Sequence, residues 1–173
     1  EVIHASEAHL AGLGRGAAGR ACTEAFCRAD EESCRDPGRF IRPIPGAQAL
    51  IEALHQSGCR VAVATVDLTQ RARRVFDFLG WSGAIDFLVG ADAVGRPKPD
   101  PEMVDLVLAK LRVGRHQAGT GGGAATDVEM GRGAGLKASI GVLSGMATAD
   151  ALQAITPFVV RDVSQILLDA RRN

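Results

Sequence analysis

Lys98 stands in the run Gly95-Arg96-Pro97-Lys98-Pro99-Asp100-Pro101, which brackets one lysine with prolines. Proline fixes its own φ and drives the preceding residue out of the helical region, so the run predicts a stiff extended segment that holds an ammonium in one place. That ammonium is a compact point charge suited to phosphate or carboxylate. Thr65, closing the run Val61-Ala62-Val63-Ala64-Thr65, offers a hydroxyl beside the backbone N–H of Val66. Asp127, a few residues after Gly121-Gly122-Gly123, offers a carboxylate. A hydroxyl, an N–H and an ammonium together suit a phosphoryl group, and a carboxylate suits a hard divalent cation. Each residue also has an ordinary reading: Lys98 in an exposed turn, Thr65 as a strand end, Asp127 as an acid favoured at a helix N-terminus.

The elements that must position these residues alternate. Leu50, Ile51 and Leu54 recur at helical spacing over 47–56, Gly58 ends that helix, and 59–65 is a short β-branched run typical of a buried parallel strand. The unit repeats. A helix through Val75, Phe76 and Leu79 leads to a strand at 85–89, and one through Val104, Val107, Leu108 and Leu111 leads towards Gln117. Helices at 127–134 and 149–155 lead to strands at 138–143 and 158–160. This alternation predicts an α/β protein with a Rossmann-like, doubly wound, mostly parallel sheet. Ligands of such sheets bind outside the carboxyl ends of the strands, where Thr65, the Lys98 loop and the 119–127 segment fall. With no apolar strand ahead of it, the glycine run reads as a flexible loop. Asp92 and Glu129 read as solvated charges.

Upstream, residues 6–27 read as a helix with Ser6 at its N-cap, and Gly12-Leu13-Gly14-Arg15-Gly16-Ala17 imitates a dinucleotide fingerprint without the strand or the later acid that such a site needs. Asp36-Pro37-Gly38 and Pro43-Ile44-Pro45-Gly46 then break the chain. The predicted division is a helical segment over 1–42 and a core over 43–173.

Twenty basic residues balance twenty acidic ones among the 173. A formal charge of zero gives no electrostatic reason for a nucleic-acid or anionic-membrane partner, and no apolar stretch approaches the roughly 20 residues that cross a bilayer. Cys22, Cys27, Cys34 and Cys59 form no Cys-x-x-Cys pair and have no histidine at zinc-ligand spacing, which predicts reduced thiols in a soluble, cytoplasmic protein. His4, His9, His55 and His116 share no spacing that suggests a site, and Trp81 is expected to pack.

With these residues in place, the chain resembles the haloacid dehalogenase-like hydrolases, in the subgroup of phosphoglycolate phosphatase, β-phosphoglucomutase and phosphonatase-like enzymes. The run ending at Thr65 is similar to that family's second motif, whose Ser/Thr binds phosphate. Gly95 to Pro101 is similar to the third, whose lysine stabilises nucleophile and substrate charge. Thr126-Asp127-Val128-Glu129-Met130-Gly131 is similar to the tail of the fourth, which holds Mg²⁺. The resemblance implies hydrolysis of a small phosphorylated metabolite through an aspartyl-phosphate, with Thr65, Val66 and Lys98 on the phosphate, Lys98 catalytic and Asp127 on the metal.

Two departures matter. The family's first motif, Asp-x-Asp, does not occur in the 173 residues; Val2-Ile3-His4-Ala5-Ser6-Glu7 resembles the segment that follows it, so the nucleophile and its strand are expected upstream of Glu1. Gly123 stands where the fourth motif has its first metal-binding Asp, which predicts weak or absent Mg²⁺ binding and a gain in metal affinity on Gly123→Asp. The 1–42 segment is also shorter than the family's usual helical cap, a reduced cap that would exclude water from substrate less well or share that task with another subunit, as in a homo-oligomer. Three functional expectations result: a phosphatase, a pseudophosphatase that binds without turnover, or a structural or assembly subunit.

Overall fold

The computed structural model describes residues 35–166, together with Arg28, Glu31 and Glu32. The helix expected over 6–27 and its glycine fingerprint lie outside the described residues, as do Cys22, Cys27 and Cys34. The chain divides into two compact units, Glu1–Arg42 and Pro43–Asn173. Within the first, the expected break at Pro37 is a single helical turn, α1 (Pro37–Phe40), with proline in the opening turn where its missing N–H costs no hydrogen bond. The Ile41 N–H closes the turn on the Pro37 carbonyl at 2.8 Å.

The second unit alternates helix and strand: α2 (Ala47–Gln56), β1 (Ala62–Ala64), α3 (Thr69–Leu79), β2 (Phe87–Val89), α4 (Glu102–Leu111), β3 (Gly119–Gly122), α5 (Ala125–Gly133), β4 (Ala138–Val142), α6 (Ala149–Gln153) and β5 (Val159–Val160). Every described strand pairing is parallel, as expected of strands joined by helical crossovers. Among the described residues the strands form two hydrogen-bonded pieces, β1–β2 and β3–β4–β5. The register sets Ala64 opposite Val89 in the first and Gly122 opposite Gly141 in the second.

A core of Val89, Met103, Val104, Leu108, Met130 and Ala134 joins β2, α4 and α5. Met103 and Val89 are 0% and 1% exposed, and each such side chain contributes roughly 1.5–3 kcal/mol by leaving water. This core fixes the two helices whose N-terminal ends flank the Lys98 loop and Asp127. Trp81 packs on Phe76 with ring centroids 6.5 Å apart.

One expectation is overturned here. Gly119–Gly122 is a strand, not a flexible loop. Its glycines supply no β-branched pattern, but β4 offers it a parallel ladder and α5 covers it closely. A Cβ on Gly131 of α5 would lie 2.2 Å from Thr120 Cγ2 and 2.5 Å from Ser139 Oγ, so the missing side chain is what lets the helix settle onto β3 and β4. Pairing and packing, rather than propensity, make this strand.

Candidate active site

Thr65 extends the β1–β2 ladder by one bond, its N–H donating to the Val89 carbonyl at 2.9 Å. The chain then turns sharply, and the Thr65 hydroxyl accepts the Asp67 N–H at 3.1 Å, as threonines do at loop starts. Val66 sits on this turn with 67% of its surface exposed. Thr65 is thus half-buried at the carboxyl end of its strand, with its own O–H proton still available to donate.

The Lys98 segment leaves β2 through Gly90 and is stapled at its far end by Glu102, the first residue of α4. The Glu102 carboxylate accepts the Gly95 N–H at 2.8 Å and the Arg96 N–H at 3.0 Å. These bonds, that to Gly95 foremost, hold its pKa below the usual glutamate value. Arg96 pairs with Asp100 at 3.1 Å, and Asp100 accepts the Glu102 N–H at 3.0 Å. The Lys98–Pro99 peptide is cis. The expected extended segment does not form: Lys98 sits in a turn that the Asp100 N–H closes on the Pro97 carbonyl at 3.1 Å, as the packing of α4 behind the loop allows.

Lys98 meets Asp127. The Nζ–Oδ1 distance is 2.5 Å, and the two side chains are only 10% and 17% exposed, so the pair is screened far less than a surface ion pair. The other carboxylate oxygen of Asp127 accepts the Ala124 N–H at 3.0 Å, closing the first turn of α5. Both oxygens of Asp127 are therefore engaged, whereas Lys98 has used one of its three protons on this partner.

Gly123 lies immediately before that turn. A Cβ built on it would fall 2.5 Å from the Gly145 Cα, and the Gly123 carbonyl accepts the N–H groups of Met146 and Ala147 at 3.0 and 2.9 Å. The turn after β4 is pressed against Gly123 backbone to backbone. This bears on magnesium, which needs near-octahedral oxygen ligation and usually one or two protein carboxylates. Asp127 is the carboxylate at this turn, already bonded to Lys98 and to the Ala124 N–H, Gly123 has no carboxylate and no room for one, and no cluster of three or more His, Cys, Asp or Glu able to hold a metal occurs among the described residues. These residues do not by themselves fit a magnesium site.

Of the residues singled out from sequence, Lys98 and Asp127 are brought into direct contact, and Thr65 is set at the neighbouring strand end. Glu129 is exposed on α5, and His55 hydrogen-bonds the Ala84 carbonyl at 2.7 Å. Asp92 is not merely a solvated charge: its Oδ1 accepts both the N–H and the hydroxyl of Thr69, each at 2.7 Å. Those bonds, the backbone one first, lower its pKa. Sequence reasoning missed Asp92, Thr69 and Gly90 because the partners lie more than twenty positions apart and form no local motif.

A parallel α/β fold carrying a hydroxyl and a lysine–carboxylate pair at its strand ends defines a Rossmann-like protein. Comparison with known proteins gives the family: the chain belongs to the haloacid dehalogenase-like hydrolases, whose family model matches residues 5–135. It is 34% identical over 118 residues to a protein of Dickeya dadantii described as a probable phosphatase, IndB, covering 68% of this chain and 51% of that one. It is 31% identical over 105 residues to the phosphoglycolate phosphatase of Aquifex aeolicus, covering 61% and 49%. The chain spans about half the length of these curated relatives. In fold it is similar to a hydrolase of Pseudomonas syringae, with a TM-score of 0.75 at 22% identity over 99% of this chain and 76% of that one. Among the described residues no helix is long and apolar enough to cross a membrane.

Proposed function

We propose that this chain holds the phosphate of a small phosphorylated metabolite through the Thr65 hydroxyl, the Val66 N–H and the Lys98 ammonium, in a protein whose chemistry is phosphate-monoester hydrolysis. The observation that carries this reading is the placement of Lys98, an ammonium fixed by a tethered proline loop and largely withdrawn from water at the carboxyl ends of parallel strands. In phosphoryl transfer a cation so placed offsets charge that builds on the phosphoryl oxygens, and a preorganised, poorly solvated cation does this best. Asp127 orients Lys98 in this scheme.

The aspartyl nucleophile that the family chemistry implies has no Asp-x-Asp in these 173 residues to supply it. Turnover therefore belongs to the whole protein, with residues 1–42 as a reduced cap. We take metal dependence to be weak, since position 123 brings no carboxylate to stand beside Asp127. A zero net charge supports a small-molecule partner rather than nucleic acid or membrane, and cysteines without pairing spacing support a reducing, cytoplasmic setting.

A second reading, a pseudophosphatase that binds phosphate without turning it over, is favoured by the Gly145 backbone lying where a metal-binding side chain at position 123 would go. Titration calorimetry with inorganic phosphate, on the longest available polypeptide and its Lys98→Ala variant, tests the binding both readings share. Expected is a loss of about 1 to 3 kcal/mol of binding in the variant; equal binding by both proteins rejects the site. Magnesium titration with a generic phosphate ester separates the readings, and brisk magnesium-dependent hydrolysis rejects the pseudophosphatase.

A further inference from the structure

The turn after β1 and the segment leading from β2 to Lys98 are sewn together by side chains outside any recognised motif. Helix α3 begins after Leu68, which has no acceptor to cap it. The cap arrives from Asp92, 23 positions away, whose Oδ1 takes the Thr69 N–H and the Thr69 hydroxyl at 2.7 Å each. The Thr69 Oγ1 in turn accepts the Gly90 N–H at 2.9 Å, and the Asp67 carbonyl accepts the Ala91 N–H at 3.0 Å. Asp67 is also the residue whose N–H is bound by the Thr65 hydroxyl. Hydrogen bonds thus tie Thr65 to Asp67, and Asp67 and Thr69 each to the start of the Lys98 loop.

Gly90 makes the junction sterically feasible. A Cβ there would lie 2.3 Å from the Thr69 nitrogen, 2.5 Å from the Asp67 oxygen and 2.6 Å from Asp92 Oδ1, so any side chain would push the two segments apart. The nearby charges are Arg71, which pairs with Asp67 at 3.6 Å, and Asp67 itself. The junction reaches the site through backbone position, at the Thr65 turn and at the root of the Lys98 loop.

We propose that Asp92 is a positioning residue: by capping α3 through Thr69 it clamps the Thr65 turn to the root of the Lys98 loop and sets the spacing of the two groups that would share a phosphate. The functional half of this statement rests on the phosphate-binding reading; the clamp itself does not. Two lost hydrogen bonds to a charged acceptor free a loop that must otherwise be prepaid for binding.

The test uses the full chain, its Asp92→Ala and Asp92→Asn variants, and the pair Thr69→Val and Thr69→Ser, which keeps the proposal open to refutation if Asp92→Ala does not fold. Amide hydrogen exchange is read at Asp67, Gly90 and Ala91, and inorganic phosphate affinity by calorimetry. Exchange at those amides is expected to rise at least tenfold in Asp92→Ala and Thr69→Val, with phosphate affinity falling about tenfold. Asp92→Asn, which keeps an acceptor oxygen, and Thr69→Ser, which keeps the hydroxyl, are expected to recover most of both. A variant that unfolds at lower temperature yet retains wild-type exchange at Ala91 and wild-type affinity would overturn the clamp. If the wild-type protein takes no phosphate while exchange rises as described, the phosphate reading fails and the clamp stands. If phosphate binds equally in all folded variants despite raised exchange, the proposed effect on spacing is refuted.

Discussion

Gly123 and Gly145 touch backbone to backbone, so that a Cβ on either residue would lie within 2.5 Å of the other's Cα. The exchange that the sequence suggests as a repair of the metal site, Gly123→Asp, therefore cannot add a carboxylate without displacing the turn after β4. Overpacking of this kind costs about 1–3 kcal/mol. We predict that Gly123→Asp lowers the denaturation midpoint and leaves magnesium affinity unchanged, as read by calorimetry; a tighter magnesium complex with no loss of stability would show that the turn yields freely.

The Lys98–Asp127 pair gives a second prediction. Removing one member leaves a part-buried charge without its partner, which costs more than removing both. Lys98→Met and Asp127→Asn are each expected to destabilise by about 1 to 3 kcal/mol, and the double variant by less than their sum. Additive losses in urea titration would mean that the contact contributes nothing specific.

Glu102 carries a pH dependence. Its pKa is lowered in the folded protein, first by the Gly95 N–H and then by the Arg96 backbone and guanidinium, with Asp100 as the neighbouring acid. A lowered carboxyl contributes stability that is present above the unfolded-state pKa, near 4.3, and is lost as pH falls through the folded value. Glu102→Gln should therefore lower stability above about pH 4.3, at pH 9 included, and change little at acid pH where Glu102 is itself protonated, so that the acid side of the stability curve flattens. An unchanged acid limb would show that the staple on the Lys98 loop carries no net electrostatic stability.

Gly131 gives a fourth. Alanine is the better helix former by about 1 kcal/mol, yet its methyl would strike Thr120 Cγ2 and Ser139 Oγ. Crowding wins, and Gly131→Ala should be destabilising by about 1–2 kcal/mol net. Thr120→Ser, which removes the struck methyl, should recover part of that loss; if Gly131→Ala instead raises the melting temperature, α5 does not sit as close to β3 as described.

Much of this was legible in the sequence, for physical reasons that differ by element. Helix α2 showed itself through Leu50, Ile51 and Leu54, all half-buried, and β1 and β2 through their apolar runs, because turning one face from water imposes those patterns directly. The break in the chain around Lys98 was legible from its prolines, but the turn that forms there was not, since the same prolines also fit an extended segment. Strand β3 was not, since glycine records no burial pattern, and the clamp of Asp92 on Thr69 was not, since a cap lent from the far side of a strand leaves no local trace. The engagement of both Asp127 oxygens and the crowding at Gly123 are matters of three-dimensional neighbours that spacing does not encode.

Strand β3 also has a temporal meaning. Register in a sheet is normally read from alternating side chains, and of the four residues in β3 only Thr120 has one. Its position is dictated by β4 and by the close seat of α5, so it cannot be an early organiser of the chain. Probes placed there, such as Gly121→Ala, where a methyl would meet Ile166 Cδ1 at 3.4 Å and the Ile140 carbonyl oxygen at 4.0 Å, should speed unfolding and leave the refolding rate unchanged, while truncations of Met103 or Val104 should slow refolding. On this ordering the segment that leads into Gly123 and Asp127 is the last part of the candidate site to take shape. A stopped-flow series in which Gly121→Ala retards refolding as much as a core truncation would reverse it.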